Sequence, residues 1–162
     1  MLALAEQVAE QPGTVSLRAW TLPSREILLG MSQAPVEIVR AAFEAWNRDD
    51  LDALLGLWGE DSEFYPLRAQ LEGRPYRGHE GLRRFVGELA EEWREVRFEV
   101  DELHETGEQV VGSGRFRARG RTSGVDLNVP LGVIGAVRNE RIVYGRMFSD
   151  PADAFEIAGL RE

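Results

Sequence analysis

Apolar residues recur at helical spacing from Pro35 onward, with Val36, Val39, Phe43 and Trp46 on one face of a first helix. Asn47-Arg48-Asp49-Asp50 ends that helix and caps a second one, lined by Leu51, Leu54, Leu55 and Trp58 and stopped by Gly59. Residues 62–65, just before Pro66, read as a short strand. The polar, Gly/Pro-punctuated stretch 67–77 reads as a loop over a pocket mouth. Leu82, Phe85, Val86, Leu89 and Trp93 then form one apolar stripe of a third helix beginning near His79.

Beyond Trp93 the period changes to two: Val96, Phe98 and Val100 alternate with Arg97, Glu99 and Asp101. Strands are predicted over residues 96–104, 108–119, 125–137 and 141–148. Glu105-Thr106-Gly107 suits a three-residue hairpin with Gly107 left-handed, which sets His104 opposite Glu108 and Phe98 and Val100 on the face of Phe116. Pro151 at a helix start, with Ala154, Phe155 and Ala158 after it and Gly159 at its end, marks a short final helix.

Carrying parity along this meander separates two faces. With Arg119 opposite Asp126, the residues Arg115, Arg117, Arg119, Asp126 and Asn128 share a polar face, whereas Phe116, Ala118, Leu127, Val129, Leu131 and Val133 share an apolar one. A two-residue turn at Asn139-Glu140 then brings Ile142, Tyr144, Arg146 and Phe148 onto the apolar side, with Arg146 opposite Val133. A guanidinium there must find a partner or reach water, because an unpaired buried charge is prohibitive.

Composition narrows the function. A chain of 162 residues is read as one domain, large enough to remove roughly 70% of its unfolded surface from water. Cysteine is absent and the two histidines, His79 and His104, lie far apart, so no metal site and no cofactor is expected. His79 is expected to satisfy backbone at the entrance to the third helix, and His104 to sit beside a solvated turn. The net charge of −9 argues against nucleic acid and against an anionic membrane as partners. The arginines at 115, 117, 119 and 121 therefore read as a solvated or subunit-contacting face. No apolar run approaches the length of a membrane span, MLALAEQVAEQ lacks the features of an export signal, and a cytoplasmic setting is expected. Residues 1–34 read as a loosely attached extension and residues 35–162 as the folded domain.

The segments VEIVRAAFEAWNRDDLDALLGLW and YRGHEGLRRF, followed by a four-strand meander, resemble the SnoaL-like branch of the nuclear transport factor 2-like superfamily over residues 35–160. The resemblance implies an α+β cone: a curved, mostly antiparallel sheet covered by three N-terminal helices, plus a short C-terminal helix, commonly forming homodimers. Members include polyketide cyclases, ketosteroid isomerases and epoxide hydrolases. In the isomerases, the resemblance implies a Tyr at or beside Ala42, a general-base Asp at Tyr65-Pro66 and an acid near Val133; this chain has none of those groups at those positions. Isomerisation of that type needs a carboxylate to move a proton and neutral donors to hold the enolate. Cyclase chemistry also needs an acid or base in the pocket, and Asp126 serves only if the parity assignment fails.

The expectation is a pocket for a hydrophobic small molecule, lined by Trp46, Tyr65, Phe116, Val129, Leu131, Val133, Tyr144, Arg146 and Phe148. The alternative is a cofactor-free isomerase, cyclase or hydratase acting on an apolar carbonyl compound, with Arg146, Tyr65 or Glu63 as catalytic candidates and Tyr76 nearby. Arg146 is open to two readings, as an ion-pair partner of Glu60, Asp61 or Glu63 or as a ligand anchor. Glu63 is open to two as well, facing outward or lining the pocket.

Overall fold

The computed structural model describes residues 34–67 and 73–160. The expected N-terminal extension, Ala34 apart, lies outside them, as do residues 68–72 of the loop expected at 67–77; the end of that loop, Tyr76–Arg77, is strand, paired with Phe64 and Glu63. Helix α1 spans Pro35–Asn47, with Pro35 in its first turn and Ile38, Val39, Ala42 and Ala45 on its buried side. Helix α2 spans Leu51–Leu57, and the Asp50 side chain caps it by accepting from the Ala53 amide at 3.1 Å. Strand β1 is Trp58–Tyr65 and β2 is Tyr76–Arg77. Helix α3 is Gly78–Glu92. The strands β3 Trp93–Thr106, β4 Gln109–Gly120, β5 Asp126–Arg138 and β6 Arg141–Phe148 follow, then helix α4, Pro151–Ile157.

Two tryptophans expected on helices begin strands instead. Trp58 opens β1 and Trp93 opens β3, in each case directly after a helix whose last turn bonds to the Trp amide. Both positions satisfy helical periodicity, but a flat ring at a helix-to-strand junction packs as well from an extended backbone, and here tertiary contact decides.

The sheet runs in the order β2-β1-β6-β5-β4-β3; β1 pairs with β6 in parallel and every other neighbouring pair is antiparallel. Its inner face carries Phe98, Phe116, Ala118, Leu131, Val133 and Ile142 against α1, α2 and α3 in the main core. Each large side chain buried there stabilises by about 1.5–3 kcal/mol. Rings link the layers: Trp46 stands edge-on to Phe98 at 5.2 Å, and Phe64 to Phe85 at 4.9 Å. On the outer face, Val111, Ile134 and Phe148 form a second, smaller core with Ala154 of α4.

Register decides which residues share the interior. Between β4 and β5 the expected pairing holds, with Arg119 opposite Asp126 and Arg117 opposite Asn128. The β3–β4 turn is tighter than expected, because Thr106 pairs with Gln109 and His104 with Val111 rather than with Glu108. A bulge between Val100 and Glu102 restores the parity, so Phe98 lies directly across from Phe116.

Between β5 and β6 the expected register fails. The turn at Asn139-Glu140 is as predicted, with both residues at positive φ and Val137 opposite Ile142. One extra residue, Val143, then interrupts the ladder, and Ala136 pairs with Tyr144, Ile134 with Arg146 and Gly132 with Phe148. A one-residue slip moves every later side chain to the opposite face. Tyr144, Arg146 and Phe148 consequently lie on the outer face, and Met147, opposite Val133, faces inward.

Candidate functional site

A cavity of about 70 Å³ lies between the helices and the inner face of the sheet. Val39, Ala42, Phe43 and Trp46 of α1 form one wall, Leu82 and Phe85 of α3 another, and Phe98, Val133 and Met147 form the floor. Trp58 and Phe64 of β1 close the end by β6. Their approach depends on Gly145: a Cβ there would stand 2.6 Å from Trp58 Cη2, inside contact distance, so only glycine lets the indole lie flat on β6.

Trp46, Asn47 and His79, close to this space, are committed to backbone groups. The Trp46 indole donates to the Val96 carbonyl at 3.3 Å. Asn47 grips the β3 backbone at Phe98, donating to its carbonyl at 2.9 Å and accepting from its amide at 3.0 Å. Since β3 is the last strand of the sheet, this amide clamp satisfies edge groups that would otherwise be unpaired. His79 meets the Trp58 carbonyl at 2.7 Å, the backbone role the sequence assigned to it.

Among the described residues, Arg146 is the one ionisable residue on the cavity boundary. Its guanidinium lies across the sheet, 5.4 Å from the Tyr65 ring centroid and 5.6 Å from that of Phe148. Its Nε is buried with no hydrogen-bond partner among the described residues. Tyr65 itself packs on Tyr144 at 5.7 Å and donates to Glu63 at 3.4 Å, and Glu63 is ion-paired to Arg77. Tyr76 bonds Glu88 of α3.

The residues named from sequence therefore divide among distinct places. Trp46 and Val133 line the cavity, Phe116 and Leu131 are buried in the same core beside it, and Val129 packs half-buried against that core. Tyr65, Tyr144 and Arg146 gather on the outer face, and Phe148 lies with α4 in the second core. Asp126 pairs with Arg119 at 2.9 Å on the polar face. Ala42 and Val133, the two positions at which the isomerase resemblance implies a Tyr and an acid, do face the cavity, as a methyl and an isopropyl group. The sequence reading did not single out Met147, Trp58 or Gly145; a glycine following a strand tyrosine, aligned with an upstream tryptophan, is the signal that could have marked the last two.

This geometry agrees with comparisons to known proteins. Residues 39–145 match the SnoaL-like domain. An NTF2-like protein from Burkholderia pseudomallei K96243 superposes with a TM-score of 0.65 at 23% identity, over 75% of this chain and 95% of that one. A protein from Shewanella denitrificans OS-217, named as a SnoaL-like polyketide cyclase, does so with a TM-score of 0.63 at 18% identity, over 76% and 97%. TerC, crystallised with polyporic acid, gives 0.65 at 17% identity, over 77% and 98%. No functionally curated protein matches the sequence. With more than half its length matched and the cone, sheet order and inner cavity in place, this chain belongs to the SnoaL-like family.

Proposed function

We propose that the protein binds a hydrophobic small molecule in the inner cavity and holds it without a chemical step. The observation that supports this reading is the lining: aromatic and aliphatic side chains from α1, α3, β1, β3 and β6 converge on one space, beside which the Trp46 indole and the Asn47 amide are already hydrogen-bonded to β3. An apolar cavity offers an apolar ligand carbon contacts on every side, which favours its transfer from water. Acid or base catalysis would need an ionisable group within hydrogen-bond reach of the ligand.

The second reading, a cofactor-free isomerase, cyclase or hydratase, draws on the relative named as a polyketide cyclase. It places the reacting oxygen near Trp46 or the Trp58 end, and a carboxylate would have to enter from outside the cavity wall. Homodimerisation through the outer face belongs to the same proposal. It is supported by the half-buried Tyr65, Tyr144 and Arg146 there, and light scattering at several concentrations checks it.

A thermal-shift screen of apolar ketones, lactones and arenes tests binding. Saturation at a hundred times Kd adds about 2.7 kcal/mol, several degrees in a domain of this size. The shift is expected to survive Arg146→Ala and to vanish in Ala42→Leu, which fills the cavity. A shift lost in the first variant and kept in the second would refute this placement.

A further inference from the structure

A second cleft, larger than the first at about 240 Å³, opens on the other side of Trp46 and Leu54, which line both. It lies where the end of α1, the turn into α2, the last turns of α3 and the start of β3 meet. Its walls are apolar and include Leu51, Val86, Leu89 and Trp93, while Asp49, Asp50, Arg94 and Arg121 stand at the rim. The combination of an apolar trough and a charged lip differs from the inner cavity, whose lining is almost wholly carbon.

The rim charges are not equally available. Asp50 is consumed, since one oxygen caps α2 at the Ala53 amide and the other pairs with Arg48 at 3.6 Å. Arg121 is anchored: its backbone amide donates to the Glu92 carbonyl and its Nε to the Ala90 carbonyl at 3.0 Å, which aligns the guanidinium against the end of α3 and leaves its terminal nitrogens unused. Arg94 has no hydrogen bond or ion pair among the described residues. Asp49 is likewise unpaired, but it is exposed on the outer side of the turn. What remains at the lip is two guanidinium groups against one carboxylate, on a chain whose net charge is −9. Planar guanidinium forks match carboxylate geometry, and the Trp46 and Trp93 rings supply flat apolar surface beside them.

We propose that this cleft binds a small amphiphilic organic acid of the aromatic carboxylate type, its ring against Trp46 and Trp93 and its carboxylate between Arg94 and Arg121. The site is separate from the inner cavity and does not rest on what that cavity holds. Trp46 forms a common wall, so occupation of the cleft braces the ring that bounds the interior.

Isothermal titration of the full chain with 2-naphthoate, compared with neutral 2-naphthalenemethanol and cationic 2-naphthylmethylamine, tests this. The acid is expected to bind most tightly. The double variant Arg94→Gln/Arg121→Gln should weaken it at least about tenfold, from the loss of charged hydrogen bonds, and leave the alcohol unchanged. Asp49→Asn should tighten it, and Ala42→Leu, which closes only the inner cavity, should leave it alone. Circular dichroism of each variant separates loss of binding from loss of fold, and both arginines are exposed, so folding should survive. The proposal is overturned by equal affinity in the double variant, by tighter binding of the amine, by loss of the acid with Ala42→Leu, or by no saturable binding of the acid.

Discussion

Asn47 does more for this fold than its place at a helix end suggests. Its two hydrogen bonds to Phe98 tie α1 to the outermost strand, and each contributes about 1 kcal/mol in such a setting. Asn47→Ala is expected to lower unfolding stability by about 2–3 kcal/mol in urea titration, whereas Asn47→Asp, which keeps only the acceptor, should lose somewhat less. Gly145 is a second single-residue constraint: Gly145→Ala should destabilise by about 1–3 kcal/mol through overpacking against Trp58 and should be relieved in part by Trp58→Phe. At the surface, the His104 ring bonds Glu102 at 2.5 Å and holds that carboxyl below its usual value, against an opposing effect of desolvation and with lesser help from the His104 charge and from Ser113. A depressed carboxylate stabilises above the ordinary glutamate range, and the contribution is lost as pH falls through the lowered value. His104→Ala should therefore return the Glu102 titration, followed by NMR, toward its ordinary midpoint. Full exposure keeps the effect on stability small.

Among the elements, helices and hairpins whose periodicity is strong were legible, and irregularities carried by ordinary residues were not. The spacing of Val39, Phe43 and Trp46 and the Asp50 cap marked α1 and α2, and Gly107 and Asn139 marked turns. Nothing in Arg-Ile-Val-Tyr-Gly-Arg announces that Val143 stands out of the ladder, since a bulge at an ordinary β-branched residue leaves no mark on the alternation before it. That single residue moves Tyr144 and Arg146 off the face expected from the register; Trp46 and Val133 line the inner cavity, and Tyr65 of β1 packs on Tyr144 on the far side. The α1–α2 turn offers a check at this scale. Asp49 sits at a φ of 58°, which costs a non-glycine residue about 1 kcal/mol. Asp49→Gly should recover several tenths of that in urea unfolding, and Asp49→Val should lose more than Asp49→Asn.

At the scale of the whole fold, the described residues form one twisted sheet with unequal cover. Three helices roof its inner face and enclose the cavity, and α4 covers only part of the outer face. The fold class was readable because the longer helices and strands keep one period over many residues. The interior surface was not, because its composition depends on the summed parity of four strands. A chain beginning at Met31 contains every element of the sheet and roof. It is expected to fold with a cooperative thermal transition like that of the full chain, and a truncate that stayed unfolded would show that residues 1–30 are required.

The account stands or falls on which side of the sheet a ligand occupies. Intermolecular NOEs between a bound apolar arene and the methyl groups of the protein read this directly, because Leu82, Val133 and Met147 face the inner cavity while Val111 and Ala154 belong to the second core on the other face. Cross-peaks to Leu82, Val133 and Met147 without cross-peaks to Val111 are the predicted result. Cross-peaks to Val111 and Ala154, together with the rings of Tyr65 and Phe148, would place the ligand beside Arg146 and contradict it.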